Sequence, residues 1–351
     1  TAISGYYWRE EMRSCSETSR KTLPNDLPSI SVVIPTYNSE RTLAECLESI
    51  TGQHYPREKM EIIVVDGGSC DNSVEIARTC GVEVIMSNQR RSGEAGKAIG
   101  SQSAHNEIVA FIDSDNILPC ADWLRRMVRP FRNPIVVAAE PLFYTFRKKD
   151  PIPTQYCALL GMNDPLCLYL GNYDRYSYVT GRWTDLPVSA RDCGSYLLLD
   201  LDERNIPTIG ANGFLIRTNA LNKLRCEKFL FDVDVVYQLV RNGRSKIAKV
   251  RVGIVHLFAN GATAFTRKTY RRIRDYLYYR RLGARRYPWR RGGRVKLAKF
   301  VLRSFLVFPT VVESLKGYKT CPETAFLFHP IACLITLYVY GLAFLAQLIS
   351  E

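Results

Sequence analysis

Two carboxylates one residue apart, Asp113 and Asp115 around Ser114, directly follow the apolar run Ile108-Val109-Ala110-Phe111-Ile112. A β-branched run of that length reads as a buried parallel strand, and the carboxyl end of such a strand is where open α/β sheets bind ligands. Hard divalent cations such as Mg2+ and Mn2+ take oxygen ligands and bridge protein carboxylates to substrate phosphates. The pair points to metal-assisted chemistry on a phosphorylated substrate. Taken alone, such a pair is more often a helix cap or a turn; its neighbours favour chemistry.

The same design occurs twice upstream. Ile30–Ile34 ends in Pro35-Thr36-Tyr37-Asn38, and Glu61–Val65 ends in Asp66-Gly67-Gly68-Ser69. Amphipathic helices are expected over Glu40–Thr51 and Asp71–Cys80, a short strand over Val82–Met86 and a helix from Ser92 to Ala104. Strand–helix alternation at this spacing predicts right-handed βαβ units and a mainly parallel sheet with helices on both faces. Asp66, Asp113 and Asp115 then share one rim.

In order and spacing, Pro35-Thr36-Tyr37-Asn38, Asp66-Gly67-Gly68-Ser69 and Asp113-Ser114-Asp115 resemble a family 2 glycosyltransferase of the GT-A fold. Gly210-Ala211-Asn212-Gly213-Phe214 is similar to that family's acceptor-side glycine motif. Phe231-Asp232-Val233-Asp234-Val235 resembles its acidic base motif, with Phe231 where an acid is usual. The resemblance covers about residues 30–260. It implies an α/β GT-A domain and inverting transfer of a sugar from a nucleotide diphosphate sugar, assisted by Mn2+ or Mg2+.

The resemblance also implies roles. Pro35, Thr36, Tyr37, Asn38 and Asp66 contact the nucleotide, with a strand-end turn through Gly67 and Gly68 as the alternative for Asp66, and Glu40 touches ribose or caps its helix. Asp115 ligates the metal directly, Asp113 holds ribose or a metal-bound water, and Ser114 lies between them on the donor side. Relatives making dolichyl-phosphate mannose often supply another polar ligand two residues on; here that residue is Ile117. His256, after the strand-like Val250–Val255, is the candidate replacement, since imidazole suits Mn2+, although a lone histidine is more often structural. The glycines beside Lys97 suggest a loop approaching the diphosphate, with a solvent-facing lysine as the plainer reading; Arg90 and Arg91 are weaker candidates. Asp232 is the candidate base, with Asp234 orienting it or capping a helix beginning near Val235. Gly210 and Asn212 lie on the acceptor side. An acceptor that is a lipid phosphate is already ionised and needs no base. Processive synthases of the family carry Gln-x-x-Arg-Trp; the corresponding Leu277-Tyr278-Tyr279-Arg280-Arg281 lacks both Gln and Trp, which favours transfer of one sugar, with Arg280 and Arg281 as candidate grips on the acceptor phosphate.

The 351 residues carry a formal charge of +14. Fourteen lysines and arginines lie between Arg267 and Lys299 against one acid, Asp275, interleaved with tyrosines. A solvated helix, a nucleic-acid surface and a helix on anionic lipid all suit that block. The stretch after it decides: Thr324–Ser350 has no Asp, Glu, Lys or Arg and is long enough to span a bilayer. Phe300–Leu315, with Arg303, Pro309 and Glu313, is either the first arm of a hairpin or an interfacial helix. Basic residues ahead of the apolar segment place the catalytic domain on the cytosolic face of the cell membrane, as an integral protein contacting membrane lipids and no nucleic acid. Eleven cysteines, none closer than ten residues to another, give no zinc spacing and no disulfide framework. No secretory signal opens the chain.

The expected organisation is an amino-terminal extension (1–29), a GT-A domain (30–260), basic interfacial helices (261–299) and one or two membrane helices (300–351). The expected partners are a nucleotide-sugar donor, best GDP-mannose, and a lipid-linked acceptor, best dolichyl or polyprenyl phosphate. The alternatives are a UDP-sugar transferase extending a lipid-linked oligosaccharide and a catalytically silent membrane-associated binding protein.

Overall fold

The computed structural model describes residues 27–350 apart from 88, 90–91, 225–227 and 289–292. Arg90, Arg91 and nearly all of the amino-terminal extension lie outside the described residues. The described residues form two compact units, one within 27–142 and 187–256, the other within 143–186 and 257–350. Residues 143–186 thus leave the span 30–260 and pack with the carboxyl-terminal part.

The first unit carries all of the sheet except Phe143–Thr145. Its strands are β1 (Ile30–Thr36), β2 (Met60–Asp66), β3 (Glu83–Met86), β4 (Ile108–Phe111), β5 (Asn116–Ile117), β6 (Ala138–Thr145), β7 (Ser189–Asp192), β8 (Tyr196–Asp200), β9 (Phe214–Arg217) and β10 (Lys246–His256). Their order is β3-β2-β1-β4-β9-β6-β10-β8-β7, with β5 pairing β10. The first four strands are parallel, as the βαβ alternation requires, and β9 turns antiparallel against β4. Every residue of β1 and β4 is buried, which accounts for apolar runs without alternation. Thr36 pairs with Asp66 and Asp66 with Met86, so the carboxyl ends of the strands align and their loops share one rim.

Helices Glu40–Thr51, Ser73–Thr79 and Gly93–Ser103 follow the first three strands. The first buries Leu43, Cys46, Leu47 and Ile50, the i, i+3, i+4, i+7 stripe of an amphipathic helix. The third is held by close approach: a Cβ on Gly100 would stand 2.3 Å from Cγ1 of Val33, and one on Gly96 3.0 Å from Cβ of Pro35. These glycines are packing positions in a helix, not a flexible loop.

The second unit is largely helical, with Ile152–Leu160, Ala262–Arg281, Arg294–Leu306, Phe308–Thr320 and His329–Ser350 as its main helices. Phe300–Leu315 is therefore not one continuous stretch; it breaks at Val307, where Pro309 stands in the first turn of the next helix and removes an N–H that the preceding helix would need to continue. Inside, Glu313 receives hydrogen bonds from Tyr169 (2.6 Å) and ion-pairs with Arg303 (2.9 Å), and His329 Nδ1 meets the Tyr156 hydroxyl at 2.7 Å. Thr324–Gln347 is the one segment among the described residues long and apolar enough to cross a membrane, with mean hydropathy 1.8. Its helix buries Ala332, Cys333, Thr336 and Val339 and exposes Ile331, Leu334, Tyr338, Leu342 and Leu345, so both of its faces are apolar.

Candidate active site

The rim of the parallel strands is tied together by side chains. Asn38, at φ 47°, accepts from the backbone N–H of Cys70 at 2.9 Å, and its own N–H donates to Ser69 Oγ at 2.9 Å. Asp66 is fully buried. Its carboxylate accepts from the N–H groups of Gly68 and Ser69, both at 2.9 Å, and from the Ser69 hydroxyl. Asp66 is thus occupied in building the turn after β2. Glu40 turns to the next helix: its Oε2 accepts from the backbone and side-chain N–H groups of Asn72, at 3.3 and 3.2 Å. Thr36 is buried with its hydroxyl donating to the carbonyl of Ile34, Pro35 is the residue against which Gly96 packs, and Tyr37 is partly exposed.

Ser114 Oγ lies 2.8 Å from Ser39 Oγ and fastens the aspartate loop to the loop after β1. Asp113 and Asp115 both keep partly exposed side chains, 29% and 22%. The adjacent Asn116, which the sequence reading passed over, is fully buried and reaches two ways. Its amide donates to Asn212 Oδ1 at 3.0 Å and approaches Asp115 Oδ1 at 3.4 Å. Asn212 has φ 50° and Gly213 φ 87°, the turn that begins β9.

His256 reaches this loop through sheet pairing: β5 runs antiparallel to β10, with His256 opposite Asn116 and Val255 opposite Ile117. Ile117 is buried in that pairing and supplies no ligand. Nε2 of His256 stands 3.5 Å from Asp115 Oδ1. Carboxylate oxygen beside imidazole nitrogen is a donor set that suits Mn2+, and such ions commonly take their remaining ligands from substrate phosphate and water. Among the described residues no cluster of three His, Cys, Asp or Glu side chains has metal-holding geometry.

Lys97 departs from its expected place. It lies inside the helix Gly93–Ser103, whose first turn Ser92 caps by accepting from the N–H of Ala95 at 3.1 Å, and it is buried. Its Nζ donates to both oxygens of Asp232, at 2.8 and 3.0 Å, and stands 3.4 Å from Asp113. Burial disfavours its charge, yet the carboxylates of Asp113 and Asp232 outweigh this and raise its pKa well above the ordinary lysine value. Burial pushes the Asp232 carboxyl up to about 6 against the pull of Lys97. A carboxyl near that value can take up a proton at neutral pH.

Asp232 opens the helix Asp232–Arg241, which begins three residues earlier than the reading from Val235; Asp234 is buried in its first turn. Gly210, at φ +127°, lies so close that a Cβ there would stand 2.6 Å from the backbone of Asp232. Its N–H donates to Glu140 Oε1 at 2.8 Å, and Glu140 Oε2 accepts from Lys249 Nζ at 2.6 Å. Both side chains of that ion pair are 0% exposed. Glu140 and Lys249 were not found from sequence. The available signal was a charged residue inside each of two otherwise apolar runs, Ala138–Leu142 and Ile247–Val250. Arg280 and Arg281 end the helix Ala262–Arg281 in the other unit and are exposed.

The site thus joins a carboxylate rim on a parallel sheet to a second carboxylate beside a glycine turn. The description of glycosyl transferase family 2 matches residues 31–224, more than half of the chain, and the chain belongs to that family. Glycosyltransferase AglE of Haloferax volcanii is 35% identical over 111 residues, 30% of this chain and 36% of that protein. The dolichyl N-acetyl-α-D-glucosaminyl phosphate 3-β-D-2,3-diacetamido-2,3-dideoxy-β-D-glucuronosyltransferase of Methanococcus voltae is 41% identical over 49 residues, 14% of this chain and 15% of its own. The chain thus spans about a third or less of the curated relatives it matches. The solved mannosyltransferase PcManGT from Pyrobaculum calidifontis, in complex with GDP-Man and Mn2+, superposes with a TM-score of 0.53 over 96% of this chain and 92% of its own, at 15% identity. That likeness is one of fold.

Proposed function

We propose that the protein moves one sugar, with inversion, from a nucleotide diphosphate sugar to a lipid-linked acceptor at a membrane, with GDP-mannose as donor and dolichyl or polyprenyl phosphate as acceptor. The observation that carries this reading is the placement of the Lys97 ammonium between Asp113 on the donor rim and Asp232 beside the glycine turn. Asp115 and His256 would hold Mn2+ or Mg2+. When bound, the ion offsets charge growing on the departing diphosphate. The loops carrying Pro35, Thr36, Tyr37, Asn38, Glu40 and Asp66 cradle the nucleotide, with Asp66 acting through the turn it builds. Ser114 fixes the aspartates against that cradle. Gly210 and Asn212 shape the acceptor side, and Asp234, from within the helix, orients Asp232.

GDP-mannose is supported by the ligand of the PcManGT complex, whose fold this chain shares. A lipid-linked acceptor is supported by the dolichyl substrate in the Methanococcus voltae enzyme's name and by the apolar segment Thr324–Gln347. That segment holds the protein in the cell membrane with the catalytic unit cytosolic. The exposed Arg280 and Arg281 meet anionic phosphate there.

A second reading is favoured by Asp232. Its carboxyl at about 6 suits removal of a proton from a sugar hydroxyl, which a lipid phosphate does not require. In that case the acceptor is a lipid-linked glycan and the donor a UDP-sugar. Assays of a panel of GDP- and UDP-sugars, each with polyprenyl phosphate or with a lipid-linked saccharide, test both. Stimulation of GDP-mannose turnover by the lipid phosphate is expected; turnover with UDP-sugars and glycan acceptors alone would replace the first reading by the second.

A further inference from the structure

The helices Arg294–Leu306 and Phe308–Thr320 meet at Val307, whose φ of 58° puts a β-branched residue in the left-handed region and is maintained only where the surroundings require it. The side chains around this elbow are apolar and bare to solvent. Phe305 is 75% exposed and Phe308 73%, with Leu302 and Leu306 beside them. Charge is sorted by distance from the bend. Between Lys299 and Lys316 the charged residues are Arg303 and Glu313, and these pair with each other at 2.9 Å. Beyond them, Arg294, Lys296 and Lys299 on one arm and Lys316 and Lys319 on the other are all exposed and all positive.

We propose that this elbow is a membrane-inserting tip whose occupant is an anionic phospholipid surface. The inference rests on the membrane reading above and deepens it, because it assigns the contact to a pair of short helices apart from the apolar segment Thr324–Gln347. At about 1.5 Å per residue, Lys299 lies roughly 9 Å along its helix from Phe305, and Lys316 roughly 12 Å from Phe308. Interfacial helices bury their apolar parts about 5–10 Å deep. An elbow immersed to that depth brings its basic arms level with lipid phosphates, where lysine and arginine are attracted and the attraction weakens with salt. The internally paired Arg303 and Glu313 lie at the depth where an unpaired charge would be costly.

The test uses the full-length chain and sedimentation with vesicles of phosphatidylcholine, with and without phosphatidylglycerol. Wild-type protein is expected to partition onto the anionic vesicles and less onto neutral ones. Phe305→Glu with Phe308→Glu should lower the anionic partition by about tenfold or more, with circular dichroism and donor binding unchanged, since both side chains are exposed. Phe305→Trp in vesicles of brominated lipid should add tryptophan fluorescence that the bromine quenches. Wild-type binding that survives the double substitution, or an unquenched Trp at 305, overturns the elbow and leaves the membrane reading standing. Absence of wild-type binding to any vesicle overturns both. A native mass that halves on the double substitution would overturn the lipid occupant in favour of a second copy of the chain.

Discussion

The Lys97 ammonium donates to both oxygens of the Asp232 carboxylate, at 2.8 and 3.0 Å, and lies 3.4 Å from Asp113. One cation thus serves two carboxylates that come from opposite parts of the fold, the loop after β4 and the start of the helix Asp232–Arg241. Without it, two negative side chains would face each other in a partly dehydrated pocket.

Lys97→Met should therefore remove the pull that holds the Asp232 carboxyl near 6 and let it rise further. For a hydroxyl acceptor, kcat in the wild type is low where Asp232 is protonated and rises with pH through about 6. In Lys97→Met the rise should move to higher pH, measured as the acid limb of kcat over pH 5 to 8. An unmoved limb would show that Lys97 does not set the state of Asp232.

Asp232→Asn keeps the shape and hydrogen bonding of the side chain and removes its basicity. Transfer to a hydroxyl acceptor should fall by about 100-fold or more, with KM for the donor little changed. Transfer to a lipid phosphate should fall less and show little pH dependence near neutrality. Undiminished kcat with a verified hydroxyl acceptor would remove Asp232 from the role of base.

Glu140→Gln leaves Lys249 charged and fully buried without its counter-ion. Breaking a buried pair from one side costs about 3–5 kcal/mol, which urea unfolding would register. The double variant Glu140→Gln with Lys249→Met should recover part of that loss, because no buried charge remains. Equal stability of wild type and Glu140→Gln would show that the pair does not support the Gly210 turn.

The carboxyl rim was legible in the sequence because it follows from local pattern. Ile30–Ile34 and Ile108–Ile112 are apolar without alternation, as strands covered on both faces must be, and their loops follow immediately. Lys97 was misplaced because Gly93 and Gly96 read as flexibility, whereas Gly96 is small so that the helix can touch Pro35. The approach of His256 to Asp115 depends on the β5–β10 pairing, a contact across about 140 residues that no local pattern reveals. The ion pair of Glu140 and Lys249 was hidden for the same reason, since each charge is compensated by a strand distant in sequence.

The most direct measurement of the central claim is incorporation of radiolabelled mannose from GDP-mannose into polyprenyl phosphate by detergent-solubilised full-length protein with Mn2+, compared with Asp115→Ala. Losing such a group commonly costs about 100-fold or more. The expected result is lipid-extractable label from wild type, abolished by excess EDTA and reduced by that factor or more in Asp115→Ala. Equal label from wild type and Asp115→Ala, or no label in lipid from any nucleotide sugar in the presence of Mn2+, would contradict it.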